Sequence, residues 1–241
     1  MATQHQQWLA AMEEKSRRRQ EKFMDDIAAR LNRPRLRHAP VQNFRGAPDF
    51  WNELEWDEEK RIQAFTENFI SVGAHVIRVP DMGEVAHFIT SKVHELNAKY
   101  IIRQNENALR DLELEGQLPD VQISVWNSAP DVDWKSRAAE ADIGIVMADY
   151  ATAYTGSVTV LSSPEKGRSV SLLPTVLILI IPLHRLHTRL GETLIDFDEA
   201  GRKQLPAGIH FISGPSRSSD IENDLTIGVH GPGIVYGVLV G

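Results

Sequence analysis

Three side chains that are far apart in the sequence could together bind and protonate a small anion. Arg168 follows a glycine in a loop between two apolar segments, and a guanidinium can hold a carboxylate or phosphate through two parallel hydrogen bonds. His230 precedes a Gly-Pro pair and is a candidate for proton transfer near neutral pH. Asp220 could orient either partner. An arginine in a turn is about as often simply solvated, and His230 could simply fix a tight turn.

The polar loop Gly214–Asp220 is a second source of ligand-binding groups. We expect a short helical turn from Asp220, and the free backbone N–H groups at a helix start favour anions. The hydroxyl groups and the guanidinium of the loop would add donors. The candidate ligand-binding residues here are Ser216, Arg217 and Ser218.

Two further features bear on the same site. Thr155 and Gly156 are expected to line its rim, with Gly156 allowing close approach of the backbone. The run Ser219 to Glu222 also fits a helix capping box, in which Glu222 reaches back to the cap residue. That alternative would give Glu222 a structural role rather than a chemical one.

Metal and cofactor chemistry finds little support in the sequence. The chain has no cysteine, which excludes disulfides, thiolate metal sites and cysteine-held iron–sulfur clusters on this sequence. His184 and His187 have metal-compatible spacing, but no third ligand is indicated. The glycines fit neither a P-loop nor a dinucleotide fingerprint. We therefore predict no metal site and no cofactor.

The elements that must position these residues alternate between strand and helix. Asp57 is placed to cap one helix, and a second helix is expected over 81–97. Short apolar runs indicate strands at 74–79, 100–103, 121–126, 142–147, 157–163, 175–181, 209–213, 226–229 and 235–240. A helix is expected around 184–203. This alternation predicts an α/β fold with a mainly parallel sheet and helices on both faces.

Ligands of such sheets gather at the carboxyl ends of the strands. We expect those ends to carry the segments 149–156, 214–220 and 230–233, and therefore to bring the candidate residues into one cleft. A helical arm is expected at 16–31, followed by a basic, proline-rich linker at 33–48. The predicted domains are residues 1–55, an arm with its linker, and residues 56–241, the α/β domain.

Composition limits the classes of function. The formal net charge of −7 over 241 residues disfavours nucleic-acid binding. The longest apolar run, 175–181, is far too short for membrane insertion. Charged residues from Glu13 to Arg19 occupy the place where a signal peptide would be apolar. Together these features predict a cytoplasmic protein.

Several of the same segments, in order, resemble the LUD-domain family. They are Ala-Asp-Ile-Gly-Ile at 141–145, Ala-Tyr-Thr-Gly-Ser at 153–157, Gly-Arg-Ser at 167–169, Ser-Leu-Leu-Pro at 171–174, the run 212–222, and Gly-Val-His-Gly-Pro at 228–232. The motif-bearing resemblance covers about the last hundred residues, and a weaker one extends over the chain. One departure is Tyr154, which stands where the family usually has a glutamate, so no role of that glutamate carries over.

The resemblance implies a fold similar to the ribose-5-phosphate isomerase, CoA-transferase and formyltetrahydrofolate cyclo-ligase group. It also implies a role in lactate utilization, the oxidation of L-lactate to pyruvate, beside iron–sulfur partner subunits. The chain would then serve in assembly or bind a small carboxylate or phosphate ligand, and a second copy of the chain could also be a partner. The alternative is a free-standing enzyme acting on a small carboxylate or phosphate-bearing metabolite.

Overall fold

The computed structural model describes residues 2–38, 53–221 and 224–241. The chain divides into two compact units, Met1–Asp49 and Phe50–Gly241. The predicted linker at 33–48 is described only as far as residue 38. No helix among the described residues is both long and apolar enough to cross a membrane.

The first unit is built on one helix, α1 (Ala2–Arg30), which begins well before the predicted start at residue 16. Ion pairs one turn apart, Arg17 with Glu13 and Arg18 with Glu14, stabilise its middle. Beyond the helix, Arg35 folds back onto Glu21 and binds it through both terminal nitrogens. Several large apolar side chains of the helix are exposed, namely Trp8, Leu9, Met12, Phe23 and Met24.

The second unit contains the remaining elements, numbered in chain order. The strands are β1 His75–Val79, β2 Tyr100–Arg103, β3 Gln122–Val125, β4 Ile143–Met147, β5 Tyr150–Thr152, β6 Ser157–Leu161, β7 Val176–Pro182, β8 Leu186–His187, β9 Ile209–Ile212, β10 Arg217–Ile221, β11 Asp224–Ile227 and β12 Ile234–Val240. The helices are α2 Glu58–Ser71, α3 Met82–Glu95, α4 Asn107–Arg110, α5 Leu114–Gln117, α6 Trp134–Glu140, α7 Ser169–Leu172 and α8 Leu190–Ala200. A 3₁₀ turn, Leu183–Arg185, follows β7.

Six strands form a parallel sheet in the order β1-β12-β7-β4-β2-β3. Successive residues of the central strands enter two separate cores. Leu177 and Leu179 of β7 pack with Phe65 and Phe69 of α2 on one face, whereas neighbouring β7 residues such as Ile178 pack with α3, α4 and α5 on the other. The prediction of a mainly parallel α/β sheet with helices on both faces is confirmed.

A smaller sheet, in the order β8-β5-β6-β9, lies on the α2 side, because Ala151, Val158 and Val160 belong to the same core as Phe65. Two sequence predictions are wrong in this half. The helix expected at 184–203 is α8 alone, preceded by the 3₁₀ turn and β8. The helical turn expected from Asp220 is instead a strand, β10, paired with β11 in an antiparallel hairpin. Backbone pairing therefore replaces the predicted anion-binding helix start.

Side chains at the strand and helix starts explain several of the sequence patterns. The Asp57 carboxylate accepts the Lys60 N–H at 2.8 Å and caps α2, as predicted. Asp142 accepts the N–H groups of Lys99 and Tyr100 at 2.8 and 2.9 Å, which ties the start of β4 to β2.

Gly144 lies so close to α7 that an added Cβ would come within 2.1 Å of the Val170 carbonyl oxygen. The segment 141–145 is therefore built for packing.

We predict that Gly144→Ala destabilises the fold by roughly 2 kcal/mol or more, because a buried strand cannot accommodate the added methyl group without moving α7. Gly116→Ala is the matched control, since nothing lies within 4 Å of its added Cβ, and it should be neutral or stabilising by up to about 1 kcal/mol. Urea unfolding of the two variants checks this. Equal stability of both variants would contradict the packing role of Gly144.

Candidate functional site

Polar side chains meet at the carboxyl ends of β2, β4 and β7. Strand β4 pairs in parallel with β2 on one side and with β7 on the other. The segments that follow the three strands are 104–106, 148–149 and 183–185. The loop before α7 joins them, because the Asn105 N–H donates to the Glu165 carbonyl at 3.0 Å. This is the edge at which open parallel sheets bind ligands, and we refer to it as the carboxyl edge.

A largely buried ionic cluster occupies this edge. Lys166 Nζ lies 2.6 Å from Asp149 Oδ1 and 3.6 Å from Glu106 Oε1, and the three side chains are only 12%, 18% and 24% exposed respectively. The second oxygen of Asp149 accepts the Leu161 N–H at 2.7 Å. Asp149 is therefore fixed and charge-compensated, whereas Glu106 is held by Lys166 only at a distance too long for a hydrogen bond.

Glu106 differs from an ordinary glutamate. Burial raises the pKa of its carboxyl, the positive charge of Lys166 partly opposes that rise, and the negative charge of Asp149 adds to it. Its Oε1 is buried without a hydrogen-bond partner among the described residues. Such a group can hold a proton at a higher pH than a surface glutamate does.

Gln104 supplies the second unsatisfied group of this edge. Its side chain is fully buried, and its Oε1 accepts the Met147 N–H at 3.1 Å. Within the described part of the chain, its Nε2 donates to nothing. Because Oε1 is anchored at the end of β4, the free amide nitrogen is held beside the same strand ends as Glu106 and Lys166.

An open cleft of about 300 Å³ adjoins this cluster. Arg185 is half-buried and donates to the Ala148 carbonyl at 2.5 Å; no carboxylate among the described residues forms an ion pair with it. Nδ1 of His187 lies 3.1 Å from the Thr193 hydroxyl. The six lining residues are Asp149, Tyr150, Leu161, His184, Arg185 and His187. In the described ranges, no three His, Asp or Glu side chains are placed to hold a metal ion.

Arg168, the principal candidate from the sequence, lies elsewhere. It is exposed at the start of α7. Its charge, after burial, contributes to lowering the pKa of His210 in β9, so the guanidinium is near that strand. His210 Nε2 is in turn 2.8 Å from the Ser162 hydroxyl.

Thr155, Gly156 and Arg217 surround the carboxyl end of α2. Asn68 of α2 donates to the carbonyl groups of Ala153 and Tyr154, both at 3.0 Å, and Gly156 has a positive φ of 55° with the backbone of Asn68 and Phe69 against it. The Arg217 guanidinium donates to the Val72 carbonyl. The Thr155 side chain is exposed. The motif 153–157 thus forms a turn that is held against α2 by the hydrogen bonds from Asn68.

His230 and Ser216 lie at the opposite end of the large sheet, where β7 and β12 begin, and we refer to this end as the amino edge. The Ser216 N–H donates to the Pro232 carbonyl at 2.9 Å, and the Gly233 N–H donates to the Thr175 carbonyl at 2.9 Å, directly before β12 and β7 begin. The exposed His230 lines a hollow of about 490 Å³ there, together with residues of 172–175 and 227–233. The expectation that segment 230–233 follows a carboxyl end is wrong, because it precedes a parallel strand.

The predicted residues are therefore distributed over three places. Ser216 and His230 come together at the amino edge, Thr155, Gly156 and Arg217 lie around α2, and Arg168 lies near β9. Ser218 and Asp220 belong to β10; the Asp220 side chain and Glu222 lie outside what the structure describes. Sequence reasoning missed the carboxyl-edge residues Gln104, Glu106, Lys166 and Arg185, although each stands just after a buried strand or next to a family motif.

With this architecture, the chain belongs to the LUD domain family, whose profile matches residues 62–240. Among its relatives, Lactate utilization protein C of Halalkalibacterium halodurans is 34% identical over 89% of this chain and 94% of that protein. Lactate utilization protein C of Shouchella clausii is 32% identical over 87% of this chain and 92% of its own length.

A solved structure shares the fold. The crystal structure of a DUF162 family protein from Deinococcus radiodurans aligns with a TM-score of 0.56 over 77% of this chain and 99% of that chain. The sequences are 17% identical, so this likeness concerns the arrangement of the elements alone.

We predict that Glu106 makes the free energy of unfolding depend on pH. Because its pKa is raised in the folded protein, the folded state keeps a proton that the unfolded chain has already released, and stability falls as pH rises from the ordinary value of 4.5 to the raised one. Glu106→Gln should abolish this fall. The stability of the variant relative to the unaltered protein should therefore rise across that window.

Urea unfolding at intervals between about pH 4.5 and pH 8 measures this effect. Glu140→Gln is the control, because Glu140 is exposed at the end of α6, and its difference from the unaltered protein should stay flat. A flat difference for Glu106→Gln as well would show that Glu106 titrates like a surface residue.

Proposed function

We propose that this protein takes part in lactate utilization, as a subunit that binds a small anion and acts together with iron–sulfur partner proteins. The observation that carries the proposal is the relationship to proteins named Lactate utilization protein C over nearly the whole length of both chains. A match restricted to the α/β domain would support only a shared fold. This match extends over most of the chain, and so it supports a shared role as well.

The need for partners follows from the chemistry of the substrate. Oxidation of lactate to pyruvate releases two electrons and two protons, and the electrons need carriers. The sequence has no cysteine, so clusters held by cysteine thiolates must lie on other chains. The first unit offers a docking element for them, because α1 exposes the large apolar side chains of Trp8, Met12 and Phe23, and exposed apolar side chains of this kind can bind a partner.

Of the residues in the family motifs, Arg168 is the one best suited to meet a small carboxylate. Its side chain is exposed, and no carboxylate of the described residues forms an ion pair with it. Thr155, Gly156, Ser216, Arg217 and Ser218 are proposed as further ligand contacts, and His230 with Asp220 as groups for proton transfer. Because these residues lie in three separate places in the fold, a substitution of Arg168 alone is the sharpest test of anion binding by the motif residues.

A free-standing enzyme acting on a small carboxylate or phosphate-bearing metabolite is the second candidate. The observation in its favour is the buried Glu106 with its raised pKa beside Lys166, an arrangement typical of acid–base catalysis. Turnover by the purified chain without partners would favour this candidate, and recovery of a multi-protein complex from lactate-grown cells would favour the first.

We predict that Arg168→Ala impairs growth on L-lactate in a strain lacking the native gene. An exposed loop charge contributes little to folding, so the melting temperature should change by no more than about 2 °C. Arg202→Ala, another exposed arginine, should restore full growth. Normal growth of the Arg168→Ala strain would contradict a ligand-binding role for that residue.

We also predict that removing residues 1–43 leaves a folded α/β unit that recovers fewer partner proteins. The reason is that the chain divides at Asp49 into two compact units, so the second unit keeps its own core. Affinity purification from lactate-grown cells, compared with circular dichroism of the truncated protein, measures both effects. Undiminished recovery of partners by the truncated protein would assign the docking surface to the second unit.

A further inference from the structure

We propose that Ser162 is a nucleophile activated by His210, and that the pair takes an acyl group from a small ester that also carries a carboxylate. Arg168 would hold that carboxylate. Such a reaction needs neither a partner protein nor lactate, so it goes beyond the proposed role in lactate utilization. The three residues come from the end of β6, from β9 and from the loop between β6 and α7.

The Ser162 hydroxyl and the His210 imidazole form a direct hydrogen bond. Ser162 Oγ lies 2.8 Å from His210 Nε2, and in the tautomer that carries its proton on Nδ1, Nε2 accepts the hydroxyl proton. A serine hydroxyl within hydrogen-bond distance of a histidine base is the arrangement that activates serine as a nucleophile. Both residues are half-buried, so the pair retains contact with solvent.

Backbone pairing holds the imidazole beside the hydroxyl. His210 lies directly opposite Val160 in the antiparallel pair of β9 and β6, and the Ser162 N–H extends that pairing by donating to the Gly208 carbonyl at 2.9 Å. Gly208 also leaves the room that the ring occupies, because an added Cβ would lie 2.7 Å from His210 Nε2 and 3.3 Å from Ser162 Oγ. Two paired strands and a glycine therefore fix the geometry of the pair.

The environment keeps the His210 ring in the form that accepts a proton. Burial, and after it the positive charge of Arg168, lower the pKa of His210, so the ring is mainly neutral at pH 7. A neutral imidazole can take the proton of the Ser162 hydroxyl. No carboxylate of the described residues hydrogen-bonds to Nδ1, so the pair lacks the third member of a catalytic triad. We therefore expect slow turnover and a need for activated esters.

Arg168 supplies the charge that selects the substrate. The backbones of Ser163 and Lys166 bond to each other in both directions, at 3.1 and 3.3 Å, and this tight turn reverses the chain after β6. Arg168 follows the turn, is exposed, and is close enough for its charge to act on His210. Its guanidinium can bind a carboxylate through charge-assisted hydrogen bonds while the ester carbonyl lies beside Ser162.

The reaction balances without a cofactor. The Ser162 oxygen forms a bond to the acyl carbon while its proton passes to His210 Nε2. The bond between that carbon and the leaving oxygen breaks, its electron pair stays on the leaving oxygen, and this oxygen takes the proton from Nε2. Water then attacks the acyl-serine in the same way, which releases the acid and restores the hydroxyl.

Reaction of the full chain with two activated esters, 4-nitrophenyl acetate and 3-carboxy-4-nitrophenyl acetate, tests the proposal, since they differ only by a carboxylate. The expected result is nitrophenolate release above the rate in buffer, with an acetyl group located on Ser162 by tandem mass spectrometry. Ser162→Ala and His210→Gln should each lower the rate about ten-fold or more. Ser163→Ala is the matched control, because its hydroxyl bonds to Glu165 instead, and it should react like the unaltered protein.

The substrate class is tested by the ratio of the two rates, carboxylated ester to neutral ester. Arg168→Gln should lower this ratio about ten-fold, as expected for loss of a charge-assisted pair, and Arg202→Gln should leave it unchanged. An unchanged ratio in Arg168→Gln overturns the substrate class.

The nucleophile is overturned if the unaltered protein carries no acetyl group on Ser162, or if His210→Gln is acetylated there at the same rate. These two measurements decide the question even if Ser162→Ala does not fold. Neither ester is a substrate for growth, so growth on lactate and recovery of partners test the proposed function separately.

Discussion

Complete burial of the central strands is the constraint on which the rest of this structure depends. All residues of β4 and nearly all of β7 are enclosed by helices or by the smaller sheet, and each successive side chain enters one apolar core or the other. A charged group within these strands would lose its hydration without gaining a partner. Polar chemistry is therefore confined to the two ends of the sheet and to the loops around them.

The two ends are not equivalent. The carboxyl edge holds a buried ionic cluster with unsatisfied polar atoms, and its groups come from β2, β4, β7 and the loop before α7. The amino edge holds a glycine-rich turn in which backbone hydrogen bonds satisfy the chain, and its His230 is exposed. The unusual electrostatics are therefore found at the carboxyl edge, whereas the amino edge is a backbone turn with an exposed histidine.

The fold could be predicted because its signals are local. A buried parallel strand has to be a short apolar run, and Asp57 caps α2 through a residue only three positions away. The hairpin at β10 and β11 could not be predicted, since the run 219–222 fits a capping box locally and becomes a strand only by pairing with 224–227. The position of His230 is mispredicted for the same reason. Its preceding segment has the apolar pattern of a strand in the main sheet, whereas it belongs to the hairpin.

The candidate site was harder to predict, because its residues come from parts of the chain as distant as 104 and 185 and form no motif. The burial and the partners that make Gln104 and Glu106 unusual arise only because the fold places β4 and Lys166 beside them. The family motifs around Gly144 and Gly156 instead correspond to close backbone contacts with α7 and α2. The motifs therefore mark packing in these places, and the most unusual electrostatics lie between them.

Gly167 has a consequence for how the carboxyl edge can be observed. Trp126 lies directly against it, so that an added Cβ would overlap the indole ring, and the indole of Trp134 lies 6.1 Å from that of Trp126, centroid to centroid. The backbone next to Lys166 is therefore in contact with one member of an aromatic pair. Any rearrangement of that loop alters the surroundings of Trp126, and the protein carries its own optical reporter at this edge.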